Sequence, residues 1–147
     1  MRTIHRKSIL SFAAATLMAG LLAAGATFAA EMKVKLSGDQ EVPPVQTQAS
    51  GNGTITVNED MSVSGSVTTT GIKATAAHIH EAAAGKNGPP VIWLSPKGSP
   101  VQAPVKGEAT LTPEQAQQFS AGEWYINVHT QDHQPGEIRG QVMPPKS

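Results

Sequence analysis

From Met32 onward the apolar positions recur at every second residue, in short runs interrupted by Gly, Pro, Asn and Asp. A period of two sends successive side chains to opposite faces of an extended chain, so these runs predict half-buried strands. Residues 32–36 make the first. Residues 54–57 and 62–69 flank Asn58-Glu59-Asp60, residue types that favour a hairpin turn. Residues 74–80, 91–94, 105–111, 124–130 and 137–142 complete the set. Residues 39–50, with Pro43-Pro44, read as a loop or an edge segment, because proline cannot donate to an interior ladder. Pro/Gly-rich connections are expected at 81–90, 95–104 and 131–136. One segment breaks the pattern. Thr112-Pro113-Glu114-Gln115 has a Thr cap, Pro at the first helical position and Gln three residues after the cap. It predicts a short helix over 113–121, with Ala116 and Phe119 inward and Gly122 as terminator. Trp93, Trp124, Tyr125 and Phe119 are expected in the core. The fold class that follows is all-β: an antiparallel, Greek-key-like sandwich or barrel with one short helix.

The first 29 residues follow a different pattern. Arg2, Arg6 and Lys7 precede an uncharged Ala/Leu/Gly-rich run, which ends in the small residues Thr27 and Ala29. That order is the pattern of a cleavable secretion signal, 1–29. Residues 30–147 are then a single domain, periplasmic or secreted. The full chain carries 11 Lys+Arg and 11 Asp+Glu, and three of the basic residues precede residue 30. The remainder holds 8 against 11, a net of −3, which argues against nucleic acid and against an anionic membrane surface as partners. There is no cysteine. The domain must therefore hold together without disulfides, and any metal must be bound by His, carboxylate or, more weakly, Met.

Four of the five histidines lie beyond the signal: His78, His80, His129 and His133. Each falls at a predicted strand end or in the adjoining turn. His78 and His80 are two apart on a strand and so face one side, with Ile79 turned away. His129 shares a strand face with Tyr125 and Asn127, and the 131–136 turn could fold His133 back toward it. Three or four imidazoles suit Cu(II) or Zn(II). Glu41 is a further candidate ligand, or a partner for Arg139. Alternatively, the imidazoles hydrogen-bond loop carbonyls and fix loop ends without any metal.

Four ordered blocks resemble one known family. They are Ser37-Gly38-Asp39-Gln40-Glu41-Val42-Pro43-Pro44, Ala77-His78-Ile79-His80, Tyr125-Ile126-Asn127-Val128-His129-Thr130 and Gly136-Glu137-Ile138-Arg139-Gly140-Gln141. Together they look like the CHRD domain, named from chordin and found in bacterial exported proteins. The resemblance spans residues 32 to 142 and implies a β-sandwich-like domain. Where the family's turn usually reads Pro-Gly-Gly, this chain has Gln134-Pro135-Gly136. A looser likeness, His-x-His on a strand of a small exported β domain, is to copper/zinc superoxide dismutase. The four histidines left after residue 30 are too few for that enzyme's two metals.

The expected function is an exported domain binding a transition-metal ion, copper first and zinc second, for sequestration or transfer. His78, His80 and His129 form the core of the expected site, completed by His133 or Glu41. Two alternatives stand beside it. One is a structural or protein-interaction domain, with another exported protein as candidate partner. The other is a redox enzyme with a single copper.

Overall fold

The computed structural model describes residues 30–95 and 105–144. The expected secretion signal, 1–29, and nearly all of the expected 95–104 loop lie outside the described residues.

Among the described residues there are eight strands and one α-helix: β1 (Ala30–Ser37), β2 (Ser50–Val57), β3 (Ser62–Thr70), β4 (Ala76–Glu81), β5 (Pro90–Trp93), β6 (Val105–Thr110), α1 (Pro113–Ser120), β7 (Trp124–His129) and β8 (Ile138–Val142). All described pairings are antiparallel. The strand order is β5-β4-β7-β8-β1-β2-β3-β6. The two ends of this sheet approach each other: a side chain at Gly107 of β6 would collide with the Trp93 carbonyl of β5. The sheet thus nearly closes into a barrel, which removes most of its exposed edge. The all-β class with one short helix is what the alternation predicted.

The helix begins as its sequence dictates. The Thr112 hydroxyl accepts from the Gln115 N–H, and the Gln115 side chain accepts from the Thr112 N–H, a complete capping box with Pro113 in the first turn. Phe119 is buried on the inner side, packed edge-on against Trp124 with ring centroids 5.3 Å apart.

The core lies inside the barrel. Leu36, Ile55, Val67, Ile79, Leu94, Ile126, Val128, Ile138 and Val142 fill it. Burying each such side chain contributes about 1.5–3 kcal/mol.

The two halves of the barrel differ on their outer faces. β2 and β3 alternate between buried and exposed or half-buried positions, as sheets with one wet face do. β4, β7 and β8 are buried on both faces over most of their length. In these three strands the inner residues are apolar, and the outer residues include His78, His80, Tyr125, Asn127 and Arg139. A second layer therefore covers a polar face, and it is built from loops. The connections 38–49, 82–89 and 130–137 all accept hydrogen bonds from its side chains.

Candidate metal centre

Strand register brings the histidines together. His78 pairs with Asn127 across the β4/β7 ladder, His80 with Tyr125, and Ala76 with His129. His129 is therefore the diagonal neighbour of His78 on one face, within reach of a long side chain. On the other side of β4 the register with β5 shifts between Ile79 and His80. Such an irregularity re-aims side chains locally.

One ligand atom from each of His78, His80 and His129 lies within 4.8 Å of the others. His78 Nδ1 and His129 Nε2 are 3.0 Å apart. Two metal bonds of ~2.0–2.1 Å put their nitrogens at most ~4.2 Å apart. The 3.0 Å contact is a hydrogen bond that an ion would have to replace, and the envelope of all three must contract by roughly 0.6 Å to share one ion.

The hydrogen bonds fix which nitrogens are bare. His80 Nδ1 is 2.9 Å from the Gly88 carbonyl, and His129 Nδ1 is 2.8 Å from the Gln134 carbonyl. A carbonyl only accepts, so both Nδ1 atoms carry the proton and both Nε2 atoms present a lone pair in the neutral ring. His129 Nε2 then accepts from His78 Nδ1–H, which leaves His78 Nε2 bare as well. His78 Nε2 and His80 Nε2 are buried with no hydrogen-bond partner. A carbonyl on the far nitrogen of a ring is the arrangement that orients metal-ligating histidines.

The electrostatics keep the rings neutral. His78 is pushed down to about 4 from 6.5, first by burial and then by His129 and His80. Burial also lowers His80, against the bond to Gly88, and lowers His129, against the bond to Gln134. Neutral imidazole is the ligating form.

Trp93 corrects the expectation that it is core. Its side chain is 44 % exposed, and its ring meets His78 edge-on with centroids 4.1 Å apart. β5 is an edge strand, and Trp93 pairs with His78 on the outer face. Tyr125 is buried as expected but lies outside the apolar core, stacked on His80 at 5.0 Å between centroids.

Glu41 and His133 are not part of the three-histidine group. The Glu41 carboxylate accepts from the Asn127 side-chain amide. Burial raises its pKa from 4.5 to about 7, against the lowering effects of Asn127, Arg139 and His133. Arg139 donates to loop carbonyls and side-chain amides, and Glu41 acts on it only across space. In the turn, the carbonyl that folds back to His129 belongs to Gln134, one residue beyond His133. His133 lies within electrostatic reach of Glu41 and Glu137. Burial alone would raise Glu137, but the hydroxyls of Thr47 and Thr130, with His133, hold it below the ordinary range.

Tyr125, Asn127 and Gln141 were not predicted as site residues. Their signal was present in the sequence: in strands whose inner residues are strongly apolar, the alternate positions carry Tyr, Asn, Arg and Gln, residues that can anchor a covering loop.

No curated protein and no solved structure matches the chain. The sequence pattern of the CHRD domain matches residues 32–142, which contain the barrel and all three converging histidines, and the chain belongs to the CHRD domain family.

Proposed function

We propose that this is an exported domain that binds one transition-metal ion through His78, His80 and His129, copper in preference to zinc, and sequesters it or passes it on. One observation carries the reading: two buried imidazole nitrogens, His78 Nε2 and His80 Nε2, have no partner, and the Gly88 carbonyl holds the His80 proton on Nδ1, away from Nε2. Leaving a buried polar atom unsatisfied costs about 1–3 kcal/mol, and a bound ion would remove that cost. Copper ranks ahead of zinc because an imidazole site with no imposed geometry follows the usual affinity order. The N-terminal pattern of charge, apolar run and small residues supports export.

Titration of the purified protein with Cu(II), followed by electron paramagnetic resonance, tests this. The expected result is one bound ion per chain, with nitrogen ligands, abolished by His78→Ala combined with His80→Ala. A spectrum that the double substitution leaves unchanged would sink the site.

The structural reading also has an observation in its favour, since two imidazoles do tie down loop carbonyls. It leaves the two unpartnered nitrogens without a role. Under that reading neither Cu(II) nor Zn(II) raises the melting temperature.

A further inference from the structure

Arg139 is the buried cation of the outer face, 1 % exposed, and no ion pair holds it among the described residues. Its Nη1 donates to the Lys86 carbonyl at 2.8 Å and to Asn87 Oδ1 at 3.2 Å. Its Nη2 donates to Gln141 Oε1 at 3.0 Å and reaches the Ala83 carbonyl at 3.5 Å. Three of these four acceptors belong to the loop between β4 and β5. Gln141 adds a bond from its amide to the Ala82 carbonyl at 2.9 Å. A planar guanidinium offers five donors in a fixed fork, which suits it to gathering several carbonyls of one irregular loop.

The gathered loop delivers one group to the metal centre. The Gly88 carbonyl accepts from His80 Nδ1 at 2.9 Å. Gly88 is held from below by Tyr125, whose hydroxyl accepts from its N–H at 3.1 Å and lies 3.3 Å from its carbonyl. Glycine is required there, because a Cβ would collide with the Glu81 carbonyl. The same Tyr125 carries the Arg139 guanidinium 3.5 Å above its ring, and stacks on the His80 ring with planes 20° apart. Two routes thus run from Arg139 to one imidazole: through the loop to Gly88, and through the tyrosine ring.

We propose that Arg139 and Tyr125 are positioning residues for the metal centre, a clamp that holds the Gly88 carbonyl against His80 and so keeps the His80 Nε2 lone pair aimed at the ion. The clamp rests on the three-histidine reading for its purpose, but not for its existence. Its function explains why a charge is buried without a carboxylate: an aliphatic side chain would fill the volume but would leave the loop carbonyls ungathered.

The test uses the purified full chain with Arg139→Gln, Arg139→Lys and Tyr125→Phe. Two measurements are made: the His80 tautomer by nitrogen-15 NMR of the metal-free protein, and the Cu(II) dissociation constant by chelator competition. The parent should show His80 as the Nδ1–H tautomer. Arg139→Gln and Tyr125→Phe should each populate the Nε2–H tautomer and weaken Cu(II) binding on the order of 10- to 100-fold, the usual effect of losing an outer-shell partner. Arg139→Lys should not rescue, because an ammonium cannot fork. Tyr125→Phe keeps the ring packing, so it carries the test if Arg139→Gln fails to fold. Folded variants that keep the Nδ1–H tautomer and the parental affinity would overturn the clamp. A parent that binds no Cu(II) would overturn the metal reading alone, because the tautomer is read without metal.

Discussion

Glu41 shows what burial does to a carboxyl that no cation touches. It was a candidate ligand because it precedes Pro43-Pro44 in a motif, yet the sequence could not say which neighbour it would meet 86 residues away at Asn127. Inside the loop layer its pKa rises from 4.5 to about 7, chiefly by desolvation. A group raised in the folded state adds stability below its unfolded pKa and loses it as pH climbs through the folded one. Ionised Glu41 is therefore a burden above pH 7. Glu41→Gln keeps an acceptor for Asn127 and removes the charge. We expect it to stabilise the protein at pH 8 by on the order of 1–2 kcal/mol, discounted for solvent near the loop, and to leave stability at pH 4 nearly unchanged. Urea denaturation at the two pH values checks it. Equal effects at both would show that the carboxyl's charge is not what matters. The histidines were more legible than Glu41. His78 and His80 follow from strand alternation alone, whereas the convergence of His129 needed the β4/β7 register, which no local pattern contains.

Element boundaries were readable where the residues carry their own turn chemistry. The helix was expected over 113–121 and forms at Pro113–Ser120, because its cap is local: Thr112 and Gln115 satisfy each other. Thr112→Ala should cost about 1 kcal/mol and should be visible as a lowered urea midpoint with unchanged denaturant slope. β2 was read too short, as 54–57 instead of Ser50–Val57. The reason is Gly51 and Gly53, which look like strand breakers. In the barrel they face inward, where a Cβ at Gly51 would lie 3.1 Å from Ile138 Cδ1 and one at Gly53 would strike Ile126 Cδ1. These glycines make room for cross-barrel packing, a tertiary reason that strand propensity cannot register. Gly107 plays the same part at the seam, against backbone instead of a side chain. Gly107→Ala would meet the Trp93 carbonyl and lie 2.9 Å from Leu94 Cα, neither of which can rotate away. We expect a loss of 1–3 kcal/mol, on the order typical of overpacking, and faster amide exchange along β5 and β6 than elsewhere. Exchange that quickens uniformly over all strands would place the strain outside the seam.

At the scale of the whole molecule, one group of residues links folding, pH and the proposed metal site. The apolar barrel packs around Ile79, Ile126 and Val128 on the inner face. The outer face, however, holds three imidazoles that must stay neutral, His78 and His80 buried and His129 half-buried. His78 sits at about 4 in the fold against 6.5 when free, and His80 and His129 move in the same direction. A lowered pKa means that the unfolded chain binds more protons, so this contribution to stability is complete above pH 6.5 and is lost as pH falls toward 4. The same shift would protect an ion bound at the proposed site. An exposed histidine cluster would surrender its ion to protons near pH 6.5, whereas burial shifts all three rings toward the ligating form, His78 down to about 4. With Cu(II) at 100 times its dissociation constant, binding to the folded state alone adds about 2.7 kcal/mol, roughly 10 °C in melting temperature for a domain of this size. We expect that gain to persist at pH 5.5 and to disappear as pH approaches 4, followed by calorimetry in matched buffers with and without the ion. A gain already gone at pH 6.5 would mean that the imidazoles are solvated in the folded protein, and the buried face of β4 and β7 could not then be the metal centre.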